Sequence, residues 1–501
     1  MKRNVNMTEG NLFKNIIIFS IPIILSGLLQ LLYNACDLIV CRAFGPDHST
    51  AAISSCNSLI NLIVNLFLGL SVGANVLMSR CVGMKDQEKG QRVVYTSMIF
   101  SLIFGLIVGA FGFFTAGYFL KLMGTTVDVI DMSTSYLKIY MLGLPFSMIY
   151  NYGAALFRAT GDTNRPFIFL SLSGILNLLL NLLFVILFKM GVPGVAWATI
   201  ISQGMSALLI IISLLKSKGF FEFKIKNIKF YKKEAIEIVR IGLPAGLQGA
   251  IFSFSNVLIQ SSINSLGTNV VDGSGASSSL EGFIYTSMNS VAQACVSFVA
   301  ANYGAKKRNN IKKSIIYSLS LVLIMNFIVG GIILLLKDQL LGLYVKTPEA
   351  IEAGSIRLFI IGITYFLCGF MDTMAFALRG IGYSFVPMIV SLIGSCVLRI
   401  IWIYTFFRLD ALHNIGGLVM SYPISWLITV SVHTIMFIVL FKKIKFEDNE
   451  INALGANAWS FYFVLVKDKK LLYTYSVLKK KQSSKIALSV ISRDVGYERT
   501  L

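Results

Sequence analysis

Charge is scarce in this sequence. Of its 501 residues only 14% are Asp, Glu, Lys or Arg, against 55% hydrophobic. A set of soluble domains needs more polar surface than that, so the composition points to a polytopic membrane protein. Histidine is nearly absent, and His48, His413 and His433 lie far apart. The seven cysteines (Cys36, Cys41, Cys56, Cys81, Cys295, Cys368, Cys396) include no CxxC pair and read as small packing residues. There is no P-loop and no GxGxxG. With no catalytic constellation the chain is not read as an enzyme and calls for no cofactor, and any work it performs must run on an ion gradient or downhill.

Acidic residues are outnumbered, 24 against 44 Lys and Arg, for a formal charge of +20. In a soluble chain this would suggest nucleic acid. Here the basic residues sit in short segments between apolar runs, which is a topology signal, and no nucleic-acid partner is expected. Lys2, Arg3 and Lys14 precede an apolar stretch too long for a signal peptide and without a small-residue cleavage site, so it reads as the first spanning helix.

What is abundant is apolar sequence. Runs such as Ile16 to Leu32, Leu102 to Phe119, Phe167 to Phe188 and Leu319 to Leu336 approach the roughly 18 to 20 residues a helix needs to cross a bilayer. Breaks at Gly, Pro and charge predict twelve transmembrane helices near 12–42, 51–82, 92–118, 130–157, 166–188, 193–215, 236–265, 276–303, 312–336, 350–378, 386–407 and 416–441. The N-terminus and the connections after even-numbered helices carry about two dozen Lys and Arg and the odd-numbered ones about six, which predicts a multi-pass protein of the cell's inner (plasma) membrane with both termini cytoplasmic.

The chain lies over itself with a shift of 221 or 222 positions: Pro22 on Pro244, Gly45 on Gly267, Gly83 on Gly304, Arg158 on Arg379, Gly161 on Gly382 and Pro166 on Pro387. The expected fold class is an all-α polytopic membrane protein, twelve helices in two six-helix pseudo-symmetric lobes around a central cleft. The expected divisions are an N-terminal lobe (1–215), a basic cytoplasmic linker (216–235), a C-terminal lobe (236–442) and a basic tail (443–501) on the inner leaflet. The last three anchor pairs belong to RATGDTNRP, Arg158 to Pro166, and its echo at Arg379 to Pro387. Both read as cytoplasmic turns, with Arg holding the end, Gly turning and Pro starting the next helix.

Polar residues at membrane depth are functional candidates by default. On the first helix Ser26, Gln30, Tyr33, Asn34 and Asp37 share one face, and on the second Asn57, Asn61 and Asn65 form a stripe. Asn151, Asn177, Asn181 and Gln203 could complete a polar pocket in this half. The other half supplies Asn256, Gln260, Asn264, Glu281, Tyr285, Asn289 and Asp372. Asp37, Asp372 and Glu281 have no acidic counterpart under the repeat, as ion coupling added to a duplicated frame would leave. For Glu281 a place at the outer surface stays open, for Asp372 neutralisation by Arg379, and for the asparagines a role as interhelical glue.

By these residues the chain resembles the multidrug and toxic compound extrusion (MATE) family. The resemblance rests on IPIILSGLLQLLYNACDLIVCRAFG in the first helix, RATGDTNRP, MGVPGVAWATIISQ (190–203), LEGFIYTSMNSVAQACVSFVAANYGAKK (280–307) and DTMAFALRGIG (372–382), and it spans Asn11 to Phe446. It implies a V-shaped cleft between two lobes and export of organic cations in exchange for protons or sodium ions. Asp37 matches the family's coupling aspartate, Pro22 the proline about which the first helix bends, and Asp372 the tenth-helix aspartate of cation binding; sodium, if used, would sit at Asp37 and Asp372. Two departures stand out. Asn181 replaces an aspartate of many members, and Gly242 to Leu266 lacks the seventh-helix glutamate of some sodium-coupled ones.

The expected function is a secondary antiporter exporting amphipathic cations by alternating access, acting as a monomer, its partners small organic cations and the lipid bilayer. Rival readings are a flippase for lipid-linked saccharides, which would want Arg and Lys in the cleft where Arg399 is the clearest candidate, and a non-transporting membrane sensor.

Overall fold

The computed structural model describes residues 4–217, 219–224 and 228–444. The expected tail, 443–501, lies outside the described residues from position 445 on. Among the described residues there are helices and no strand. They form α1 (Leu12–Phe44), α2 (Ser49–Met84), α3 (Gln87–Leu122), α4 (Val127–Leu142 continued by Leu144–Ala159), α5 (Asn164–Leu187), α6 (Gly191–Lys216), α7 (Lys232–Asn264), α8 (Thr268–Gly304), α9 (Arg308–Leu335), α10 (Pro348–Gly380), α11 (Phe385–Arg408) and α12 (Ile415–Lys443).

Ten of these twelve are long and apolar enough to cross a membrane on length and composition alone. The other two fall short for different reasons. α4 is interrupted at Gly143, because Pro145 offers no N–H and its ring crowds the carbonyl one turn back. α8 has the length, 37 residues, but carries Ser, Asn, Gln and Glu281 along its whole course. Starts are set by local chemistry: Asn11 Oδ1 accepts from the Lys14 N–H at 3.1 Å at the head of α1, and Asp86 Oδ1 from the Lys89 N–H at 3.0 Å at the head of α3. α5, α9 and α11 contain π segments at Leu182–Leu187, Asn326–Gly330 and Leu392–Val397, each inserting about one residue into the helical register.

The outer faces are apolar, as lipid requires: Leu102, Ile103, Leu106 and Ile107 of α3 are all exposed. One core cluster is built from α2 to α6 with Val40 and Cys41 of α1 and Ile238 of α7, a second from α8 to α10 together with Leu12, Ile16, Phe19 and Ile23 of α1. The first half of α1 therefore packs on the C-terminal lobe, while its second half packs on α5 and α6 of its own lobe.

α2 and α8, images of each other under the repeat, cross at the seam between the lobes. Their halves nearest the chain's N-terminus are buried almost without interruption from Gly69 to Ser79 and from Ser287 to Asn302, whereas Asn57, Asn61, Ser278 and Ser279 on their other halves are exposed. Close approach closes the buried end: a Cβ at Gly83 would overlap the Ala301 carbonyl, and one at Gly304 the Arg80 carbonyl. Val76, Ile241, Ala292, Val296 and Phe376 fill the seam. Lys89 pairs with Glu237 at 3.5 Å on the same face, between α3 and α7. The cleft is thus shut on the face of the N-terminus and open on the opposite one.

Candidate functional site

The helical spacing on α1 does place its polar residues together. Gln30, Tyr33, Asn34 and Asp37 line one side of a cavity of about 330 Å³ in the N-terminal lobe, facing Asn57 and Asn61 of α2, Asn151 of α4, Asn177 of α5 and Gln203 of α6. Among the described residues, Asp37 is the only charged one lining it. Asn181 Nδ2 donates to Asp37 Oδ1 at 2.5 Å and to Asn177 Oδ1 at 3.2 Å, using both of its hydrogens. Asn177 Nδ2 reaches Thr199 Oγ1 at 3.5 Å, and the Thr199 hydroxyl donates to the Val195 carbonyl at 2.9 Å. Asn181 Oδ1 is buried and receives no hydrogen bond, an orphaned acceptor beside the carboxylate. Pro22, the expected hinge, is buried inside α1 near its crossing from one lobe to the other.

Asp372 lies elsewhere. It lines a smaller cavity of about 160 Å³ between the lobes, together with Asn65, Gln248, Tyr285, Arg158 and Arg379. Asn289 Nδ2 donates to Asp372 Oδ2 at 3.0 Å and to the Tyr285 hydroxyl at 3.3 Å. Arg379 gives its own hydrogen bond to Gln248 Oε1 at 2.8 Å and makes no ion pair with Asp372 among the described residues.

Glu281 is neither beside Asp372 nor at a surface. It is 5% exposed and receives two bonds from Arg357, Nε to Oε1 at 2.8 Å and Nη2 to Oε2 at 2.9 Å. Ser277 Oγ donates to Oε1 as well, at 2.9 Å, and Arg357 Nη1 holds Ser274 Oγ at 2.7 Å. This pair borders a third cavity of about 440 Å³ with Asn256, Gln260, Tyr365 and Tyr422. Gln260 Nε2 is engaged with Asn264 Oδ1 at 3.0 Å. The three acids thus occupy three separate cavities, and among the described residues no group of three His, Cys, Asp or Glu converges as a metal site.

Two lobes of one design, each with a polar cavity, match a known pattern. A sequence model of the MatE family matches residues 22–183 and 244–405, one match in each lobe. The chain belongs to the MatE family. This MatE chain is 29% identical over 402 residues to the probable multidrug resistance protein YpnP of Bacillus subtilis (strain 168), covering 79% of this chain and 88% of YpnP. It is 23% identical over 422 residues to the multidrug export protein MepA of Staphylococcus aureus (strain MSSA476), covering 82% and 90%. Its fold superposes on the outward-facing conformation of a multidrug resistance MATE family transporter with TM-score 0.83 at 23% identity, covering 89% of this chain and 100% of that one. A MATE crystal structure in the bent conformation gives TM-score 0.81 at 23% identity, covering 88% and 99%.

Sequence reasoning missed several residues of these MatE cavities. Tyr136 and Thr199 line the first, and both stand in apolar runs where a single hydroxyl carries little signal. Arg357 was missed because it lies near the start of α10, where an arginine reads as an interfacial anchor. Its burial, 6% exposed, follows from Glu281 on the neighbouring helix, and no local pattern connects the two.

Proposed function

We propose that this chain is a secondary antiporter that exports amphipathic, cationic compounds in exchange for protons or sodium ions by alternating access. The observation that carries the reading is Asp37. It is a carboxylate at membrane depth, the only charged side chain lining its cavity among the described residues, held by Asn181, with the unused Asn181 Oδ1 beside it. Such a group accepts either a proton or a monovalent cation, and an organic cation competes for the same charge. Filling it removes the negative charge that holds the substrate. It also changes the hydrogen bonds that fix the second half of α1, the part beyond Pro22.

The moving bodies in this reading are the lobes, 1–215 and 236–442, joined by the linker 216–235, in the cell membrane with both termini cytoplasmic. The face closed by Gly83 and Gly304 is then the cytoplasmic one, and the cleft opens outward. Asp372, with Tyr285 and Asn289, is the second coupling group, placed where the two lobes meet. Glu281 is the third, and it exchanges an ion only when its pair with Arg357 opens. Tyr33, Tyr140 and Tyr150 offer ring faces to a cation in the first cavity.

The test is efflux from proteoliposomes under an imposed sodium gradient and, separately, an imposed pH gradient. Asp37→Asn keeps the side chain's size and shape while removing the charge, so it is expected to abolish gradient-driven efflux with the protein still inserted. Normal efflux by that variant overturns the coupling role.

A further inference from the structure

Arg158 and Arg379 are images of each other under the repeat, 221 positions apart, and their turns predict a place at the cytoplasmic ends of α4 and α10. The structure turns both inward. Each lines the cavity of about 160 Å³ between the lobes, Arg158 from the N-terminal lobe and Arg379 from the C-terminal one. Ser71, Asn75, Gln293 and Val296 of the buried seam line it too. The duplication has thus brought two copies of one cation to a single small space.

Neither guanidinium is fully matched there. Arg158 makes no hydrogen bond and no ion pair among the described residues. Arg379 is 4% exposed; its Nη2 donates to Gln248 Oε1 at 2.8 Å, but its Nε is buried with no partner among the described residues. Asp372 is the third charged residue of the lining, and it is held by Asn289, which is held in turn by Gln293 Nε2 at 3.0 Å. It pairs with neither arginine among the described residues. The lining therefore carries two positive charges and one negative. Arginine stays protonated in such a place. A buried charge is costly unless paired and hydrogen-bonded, and two guanidiniums around one cavity also repel each other. A small anion between them relieves both costs. The volume says what kind: about 160 Å³ is well under the ~300 Å³ at which pockets for organic ligands begin, and it has room for a monovalent ion with a few waters.

We propose that the cavity between the lobes binds a small inorganic anion of the chloride class, with Arg158 and Arg379 as its donors, and that this ion bridges the two lobes. Each lobe supplies one arginine, so parting the lobes divides the site. The anion then prefers the state in which the seam is closed and shifts the population toward it. It is a regulator of the cycle and not cargo. Asp372 opposes it by charge, so neutralising that carboxylate tightens the anion. The conformational effect rests on the alternating-access reading, whereas the binding does not.

The test uses the purified full-length protein in detergent, with chloride exchanged for gluconate at constant ionic strength. Chloride is expected to raise Tm saturably and to slow maleimide alkylation of Cys81, which is buried at the closed end of the seam. Arg158→Gln and Arg379→Gln should each raise the chloride concentration for half of the Tm shift at least about tenfold, as loss of one charge-assisted bond predicts. The corresponding Lys variants should recover most of it. Asp372→Asn should lower that concentration severalfold, a gain that a damaged fold does not produce. A shift that never saturates, that survives loss of both arginines, or that Asp372→Asn leaves unchanged or weakens overturns the site. Should a Gln variant fail to fold, the Lys variants and Asp372→Asn carry the same test. Chloride binding with an unchanged Cys81 rate overturns the bridge. None of these readouts involves a transported compound, so failure of the anion site and failure of cation export are told apart: the first shows in Tm, the second in efflux.

Discussion

Arg80 on α2 donates through Nη2 to the main-chain carbonyl of Gly380 on α10 at 3.0 Å, and this bond ties the end of one lobe to the end of the other. The same guanidinium lies over the Tyr303 ring of α8, 4.8 Å from its centroid. A second tie comes from Asn302 of α8, whose Nδ2 donates to the Met7 carbonyl at 2.8 Å. The closed face is therefore latched twice.

Opening that face must break the Arg80 latch. Arg80→Gln removes a charge-assisted bond worth about 1.5–3 kcal/mol together with the ring contact, so the closed state should lose at least about tenfold in population relative to the open one. Cys81, fully buried next to it, reports the change. Its alkylation rate by a maleimide, followed by intact-protein mass, is expected to rise by the same factor. An unchanged rate means that the latch contributes nothing to the closed state.

The pair of Glu281 and Arg357 makes a different kind of prediction, because both ends are buried and bidentate. Removing one partner leaves an uncompensated charge, which typically destabilises by about 3–5 kcal/mol, whereas removing both together is close to neutral. Glu281→Gln and Arg357→Met should each lower Tm in detergent by several degrees, and the double variant should recover most of it. If the double variant keeps its Tm and loses gradient-driven efflux, Glu281 belongs to the coupling machinery. Retained efflux makes the pair structural.

How much of this could be read in advance follows from the range over which each feature is encoded. Spans and lobes were legible, because apolar runs and a fixed interval are properties of the chain itself. The Asp37 face was legible too, since helical period alone brings Gln30, Tyr33, Asn34 and Asp37 to one side. The break at Gly143 was within reach, as Pro145 stands two positions on, but the apolar run around it hid the interruption. Pairings across helices left no local trace: nothing near Glu281 names Arg357, and nothing near Arg399 shows that its neighbours are rings and a serine. The ties made by the main chain were the least visible, because a carbonyl carries no residue code.

One such tie explains RATGDTNRP, and it can be tested. The Val5 N–H donates to the Gly161 carbonyl at 3.0 Å, and Asn4 reaches the Thr160 carbonyl at 3.4 Å, so the segment before α1 is fastened to this turn of the N-terminal lobe. A few residues on, the same segment is fastened to the other lobe, where Lys307 Nζ and Asn310 Nδ2 donate to the Thr8 carbonyl at 3.1 and 3.0 Å. Residues 4–9 thus strap the two lobes together across the closed face. Gly161 is needed for two reasons: its φ is +89°, and a Cβ there would overlap the Val5 carbonyl. At the echo, Gly382 has φ +100° and a Cβ would meet Arg80 Nη2 at 2.7 Å, so each turn receives one latch of the closed face. Gly161→Ala imposes about 1–2 kcal/mol of backbone strain and expels the strap. Amide hydrogen exchange at Val5 is expected to speed up at least about tenfold while exchange in the core of α8 stays slow. Unchanged protection at Val5 would show that the strap does not depend on this turn.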